Sequence, residues 1–78
     1  MQASILLEYI IEALVTKKDE IKIEEIPGPE ESVLEVRVAD SDVGKVIGKN
    51  GSVARSLRQV LLAAGTKDKK NYVLEIID

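Results

Sequence analysis

Apolar positions recur along this chain in two rhythms, and each change of rhythm marks the edge of an element. Leu7, Ile10, Ile11 and Leu14 fall three and four apart, the spacing of one helical stripe, while Glu8 and Glu12 fall together on the solvent side. Ser4 stands where a capping hydroxyl belongs, so the pattern predicts a helix from Ser4 to about Thr16. Ile21 and Ile23 then alternate with charged residues, which predicts a short strand ending near Ile26. Pro27-Gly28-Pro29 breaks the chain in a tight turn. A second strand follows, with Leu34, Val36 and Val38 on one face and Val33, Glu35 and Arg37 on the other.

The helical rhythm then returns. Asp40, Ser41 and Asp42 are each suited to cap a short helix over Val43–Ile47, and capping accounts for the two carboxylates better than a catalytic pair does. Gly48-Lys49-Asn50-Gly51 stops that helix. Ser52 can cap the next one, whose stripe reads Val53, Leu57, Val60, Leu61 and Ala64, and Gly65 sits where a left-handed residue would end it. Lys67, Lys69 and Lys70 belong to a solvated loop, with Asp68 diluting them. Beyond it Tyr72, Leu74 and Ile76 alternate with Val73, Glu75 and Ile77 as a third strand. The order α-β-β-α-α-β predicts an α+β fold, a three-stranded sheet with the helices packed on one face.

Composition narrows the function. The 78 residues fit one domain, expected to span 1–78, with 45% apolar and 32% charged residues and no linker or repeat. Cysteine and histidine are both missing, so thiolate–imidazole metal sites and imidazole catalysis are excluded, and neither a metal nor a cofactor is expected. Ile5 to Val15 is too short and too charged to span a membrane, and it has no signal-peptide pattern; the expected location is the cytoplasm. The net charge of −3 conceals an asymmetry: residues 1–40 sum to −6 and residues 41–78 to +3. Between Val43 and Arg58 there are four bases and no acid, and screening makes that local sign matter more than the total.

The glycine-bearing stretch within that basic segment fails the common phosphate motifs. Gly44 and Gly48 are separated by three residues where a Walker loop needs four, and Asn50 follows Lys49 where it needs Ser or Thr. Val46 stands where the dinucleotide fingerprint needs its second glycine, and a helix precedes where it needs a strand. A calcium loop beginning at Asp40 lacks its third acid and closing Glu. Two helices joined by Gly-x-x-Gly remain. The glycines permit a tight turn and a close approach of backbone to ligand, and a helix N-terminus with free N–H groups favours an anion. Lys49 adds a charge within the loop, Lys45 lies one turn earlier, and Arg55 and Arg58 share an exposed face of the following helix.

Val46-Ile47-Gly48-Lys49-Asn50-Gly51 between two helices resembles the signature of the KH domain. With an α-β unit ahead of the β-α-α-β core, the order resembles the prokaryotic, type II arrangement, and the size is similar to the small stand-alone bacterial RNA-binding proteins of the KhpA family. The resemblance implies a non-catalytic RNA-binding protein whose Gly-x-x-Gly loop clamps the backbone of about four single-stranded nucleotides. It implies contacts from Gly48, Lys49, Asn50, Gly51, Lys45, Ser52, Arg55 and Arg58, with Gly44, Val46 and Ile47 supporting the groove. It also implies an RNA-chaperone role and pairing as a homodimer, or as a heterodimer with a second KH-containing protein. In that arrangement the Ile26–Ser32 turn is expected to border the groove, where Glu30 and Glu31 would repel phosphate. Two rivals stand beside it: a KH-like protein-interaction module with little RNA affinity, and a helix-turn-helix DNA reader, which the flanking strands disfavour. The two aromatics in the chain, Tyr9 and Tyr72, disfavour a stacking platform on a sheet, and Tyr72 is expected at the core or its edge.

Overall fold

The computed structural model describes residues 2–77. The chain forms α1 (Ala3–Leu14), β1 (Lys22–Pro27), β2 (Ser32–Arg37), α2 (Val43–Ile47), α3 (Ser52–Asp68) and β3 (Tyr72–Ile77), with short 3₁₀ turns at Lys18–Glu20, Asp40–Asp42 and Lys49–Gly51. The sheet has the order β1-β2-β3, β1 antiparallel and β3 parallel to β2. A parallel neighbour requires a long crossover, and α2 and α3 supply it. Alternation along the strands puts Leu34, Val36 and Leu74 on one face, where Ala3, Leu7, Ile11 and Val15 from the α1 side, Val46 of α2, and Leu57 and Leu61 of α3 cover them. All three helices therefore serve one face of the sheet, as the element order predicts. Among the described residues no helix is long and apolar enough to cross a membrane.

Several boundaries differ from the sequence expectations. Gln2, not Ser4, occupies the cap position of α1, and no side chain caps it. The buried stripe begins at Ala3, 2% exposed, and continues through Leu7 and Ile11, so burying that alanine carries the helix past the serine. Ser52 likewise lies inside the first turn of α3, while Gly51 holds the cap position in a left-handed conformation. β1 runs one residue further than expected: Pro27 pairs with Ser32, which an outer strand permits because its other side needs no N–H donor. The face of α3 is also rotated. Ala54, Leu57, Leu61 and Gly65 are buried, Val53 and Ala64 flank them, and Val60 is exposed.

Gly65 explains the rotation. It does not end the helix, which runs to Asp68 and is closed by Lys69 at φ 57°. A β-carbon on Gly65 would run into the Lys70 carbonyl and come within 3.5 Å of the Tyr72 ring. The chain folds back across this position, with the Lys70 N–H donating to the Gly65 carbonyl at 2.8 Å. Tyr72 itself is half-buried at the core edge, and its hydroxyl donates to Asp68 Oδ2 at 3.1 Å. Replacing glycine by alanine inside a helix ordinarily stabilises by about 1 kcal/mol. Here Gly65→Ala is expected to destabilise instead, by roughly 1–3 kcal/mol of overpacking. Denaturant titration of parent and variant checks the sign, and a more stable variant would show that the crossing has room for a methyl group.

Candidate functional site

Asp42 organises the approach to the glycine loop. Its expected role as a cap is not what the structure shows: neither Asp40 nor Asp42 caps α2 through its side chain. The Asp42 carboxylate is fully buried and turns away from its own helix. Oδ1 accepts from the Thr16 N–H at 3.1 Å and the Thr16 hydroxyl at 2.9 Å, and Oδ2 accepts from the Lys17 N–H at 3.0 Å. The Lys45 ammonium completes the set at 3.2 Å from Oδ1. A buried charge is tolerable only when it is paired and hydrogen-bonded, and this one has four donors. The arrangement also accounts for α1 ending at Leu14, since the Thr16 and Lys17 amides serve the carboxylate instead of the helix. Thr16 and Lys17 are thus anchors that the sequence pattern did not reveal. Nothing in their spacing connects them with a partner about 25 residues away.

Once α2 is anchored, its own residues set the direction of the loop. Val46 is buried in the core and Ile47 is half-buried, while Gly44 faces open space, with nothing within 4 Å of where its β-carbon would be. The helix closes with the Gly48 N–H on the Gly44 carbonyl at 2.8 Å. Gly48 then takes φ 77°, and a β-carbon there would lie 2.8 Å from the Val53 nitrogen. Its missing side chain therefore serves the packing of the loop on α3 before it serves any ligand. Asn50 (φ 56°) and Gly51 (φ 75°) are both left-handed. Asparagine is among the few residues that tolerate this region. The Gly51 N–H bonds back to the Gly48 carbonyl at 3.1 Å, whereas the Lys49 and Asn50 amides take no acceptor among the described backbone hydrogen bonds.

The four bases of this segment play different parts. Lys45 is committed to Asp42, although its side chain remains 48% exposed. Arg55 donates from Nη1 to the Asn50 carbonyl at 2.6 Å. Lys49 and Arg58 are exposed and form no ion pair or side-chain hydrogen bond among the described residues. The acidic turn lies elsewhere. Ser32 N–H bonds to the Asn71 carbonyl, which places the turn at the end of the sheet where α3 finishes. The glycine loop opens that same helix 17 residues earlier, about 25 Å away at 1.5 Å per residue. Glu30 and Glu31 therefore stand apart from the loop itself, because α3 runs the length of the sheet between them.

Residues 5–76 match the family described as KhpA/KhpB, KH domain. The chain is similar to proteins named RNA-binding protein KhpA from several bacteria. It is 45% identical to the one from Borreliella burgdorferi over 73 residues, covering 94% of this chain and 89% of that protein. It is 46% identical to that of Clostridium acetobutylicum over 72 residues, covering 92% and 96%. It is 47% identical to that of Treponema pallidum over 73 residues, covering 94% and 91%. No solved structure shows a significant match.

The carboxylate that anchors the site gives the fold a pH signature. The Lys17 N–H, foremost, then the Thr16 N–H and hydroxyl and the Lys45 ammonium, hold Asp42 well below the usual carboxylate range, outweighing the opposing effect of burial. A group depressed in the folded state adds stability that is fully present above the unfolded value, about pH 4, and is lost as pH falls toward the folded value. Asp42→Asn is accordingly expected to be less stable than the parent near neutral pH, with the gap narrowing as pH falls below about 4. Urea titrations at pH 7 and pH 3 measure both gaps. Equal gaps would show that the charge of Asp42 is not what holds Thr16 and Lys17.

Proposed function

We propose that this chain, which belongs to the KhpA/KhpB KH-domain family, binds single-stranded RNA across its glycine loop. The family is non-catalytic. The observation that carries the proposal is the combination of unpaired Lys49 and Asn50 amides with the free charges of Lys49 and Arg58, in a stretch without an exposed carboxylate. Phosphate is the natural occupant of such a place, since it accepts from backbone amides and pairs with either base. Gly44, which faces open space, and half-buried Ile47, three residues on, leave a strip beside the loop on which bases lie. Gly48, Lys49, Asn50, Gly51, Ser52 and Arg58 make the contacts, and a loop of this kind clamps about four nucleotides. Val46 supports the strip from the core. The 78 residues act as one KH unit in the cytoplasm.

A site with so few free cations binds loosely and with a clear salt dependence. Pairing two units raises avidity without any new contact to RNA, which supports a homodimer or a heterodimer with a second KH-containing protein. The surface supports the same pairing. Tyr9 is 75% and Leu62 59% exposed. A mostly apolar groove of about 470 Å³, lined by Leu6, Val60, Ala63 and Ala64 together with Lys67 and Asp68, runs between α1 and α3.

Two experiments test these proposals. The double substitution Lys49→Asp with Asn50→Asp keeps both glycines, and aspartate tolerates the left-handed position, so the fold survives. It adds like charges beside the phosphate, where at ~4 Å each costs on the order of a few kcal/mol before screening. Affinity for a mixed single-stranded RNA pool is expected to fall at least about tenfold, with a flatter salt dependence. Unchanged binding by a folded double variant would remove the loop from the RNA site. For pairing, sedimentation over a micromolar concentration series is expected to show a monomer–dimer equilibrium. A constant monomer mass with RNA binding intact leaves only pairing with a different KH protein.

A further inference from the structure

The Asn50–Gly51 peptide unit is held from both sides. Its N–H, on Gly51, donates to the Gly48 carbonyl at 3.1 Å, and its carbonyl, on Asn50, accepts from Arg55 Nη1 at 2.6 Å. The guanidinium passes beside Gly51, where a β-carbon would sit 3.4 Å from the same nitrogen. Asn50 meanwhile holds φ 56° and ψ 27°, a left-handed conformation that asparagine tolerates at some cost. α3 itself begins without a side-chain cap. No other side chain among the described residues bonds to the loop backbone, so Arg55 supplies the polar restraint on the outer half of the turn.

We infer that Arg55 is a positioning residue, which clasps the Asn50 carbonyl toward α3 and so presents the loop to phosphate, and is not itself a phosphate ligand. The inference rests on the glycine loop being the RNA site, and it revises the contact that the sequence assigns to Arg55. A carbonyl released from the clasp would offer a negative dipole end to the incoming phosphate, and the left-handed pair would lose its restraint. The hydrogen bond of the guanidinium is spent within the protein, and a charge-assisted bond is among the stronger kinds. Arg58, three residues on and without such a bond, is the free charge and the natural comparison.

Single-stranded RNA titrations over a range of salt, together with amide hydrogen exchange on the RNA-free protein, separate the two roles. Arg55→Met is expected to weaken binding by about tenfold, the equivalent of one charge-assisted hydrogen bond, with the slope of log affinity against log salt unchanged. Its Gly51 amide exchanges faster than in the parent. Arg58→Met is expected to lower that slope by about 0.7, the share of one phosphate contact on a single strand, with Gly51 exchange unchanged. Both side chains are exposed, and a circular dichroism melt confirms that each variant folds. A slope lowered by Arg55→Met with Gly51 exchange at the parent rate overturns the inference and makes Arg55 a direct ligand. Gly51 exchange at the parent rate with binding unaffected overturns it as well. A parent that binds no RNA defeats the assignment of the site, while Gly51 exchange in the free protein still decides whether the clasp exists.

Discussion

A carboxylate fully shielded from solvent fastens two parts of this chain, and the placement of the glycine loop depends on it. Asp42 gathers the amides of Thr16 and Lys17, the Thr16 hydroxyl and the Lys45 ammonium around a single charge. Hydrophobic burial brings α1, α2 and α3 onto the sheet, but burial is non-directional and would accept helix α2 slightly shifted or turned. Hydrogen bonds to a buried charge are directional and costly to leave unmade, so they hold the start of α2 to the chain leaving α1. The five-residue helix α2 then carries that constraint to Gly48. Without the carboxylate, so short a helix would have Val46 as its sole fully buried side chain to hold it in place.

The same carboxylate reconciles an acidic chain with a surface suited to an anion. Asp42 adds to the net charge of −3, yet its charge is turned inward and answered by its own donors. The exposed acids of the Ile26–Ser32 turn stand about a helix length from the loop, well beyond the ~8–10 Å over which salt screens surface charges. The field at the loop is accordingly that of Lys49, Arg55 and Arg58. The internal work of Asp42 also has a cost at the surface: Lys45, one of the four bases in the segment, is partly spent on it. A single unit is left with few unengaged cations, which makes pairing of two units functionally sensible.

The elements of the fold and the loop at its centre were legible because their signals are local. Stripes three and four apart, alternation by two, and a pair of glycines three apart each describe a few turns of backbone, and all six predicted elements occur in their predicted order. The polar assignments fared differently. Ser4, Asp42 and Ser52 are all good capping residues, and none caps a helix with its side chain here. Gly65 looks like a terminator and sits inside a helix; Val60 belongs to the apparent stripe and is exposed, while the smaller Ala54 is buried. For Asp42 a contact about 25 residues away in sequence overrode a local capping preference worth about 1 kcal/mol.

The sequence by itself determined the architecture, the glycine loop and the basic sign of its neighbourhood, because periodicity, backbone permissiveness and charge are properties of neighbouring residues. Tertiary structure alone decided what the polar groups do. Asp42 could cap its own helix or bind Thr16, and the choice depends on where α1 ends relative to α2. Arg55 could meet solvent, ligand or the Asn50 carbonyl, and the choice depends on a left-handed turn that two glycines permit but do not impose. Glu30 and Glu31 could border the loop or stand apart from it, and the choice depends on the path of α3 along the sheet. Spacing along a chain says which side chains share an element; which donor meets which acceptor is settled only when those elements pack, because a hydrogen bond forms over about 3 Å and no sequence separation encodes that distance.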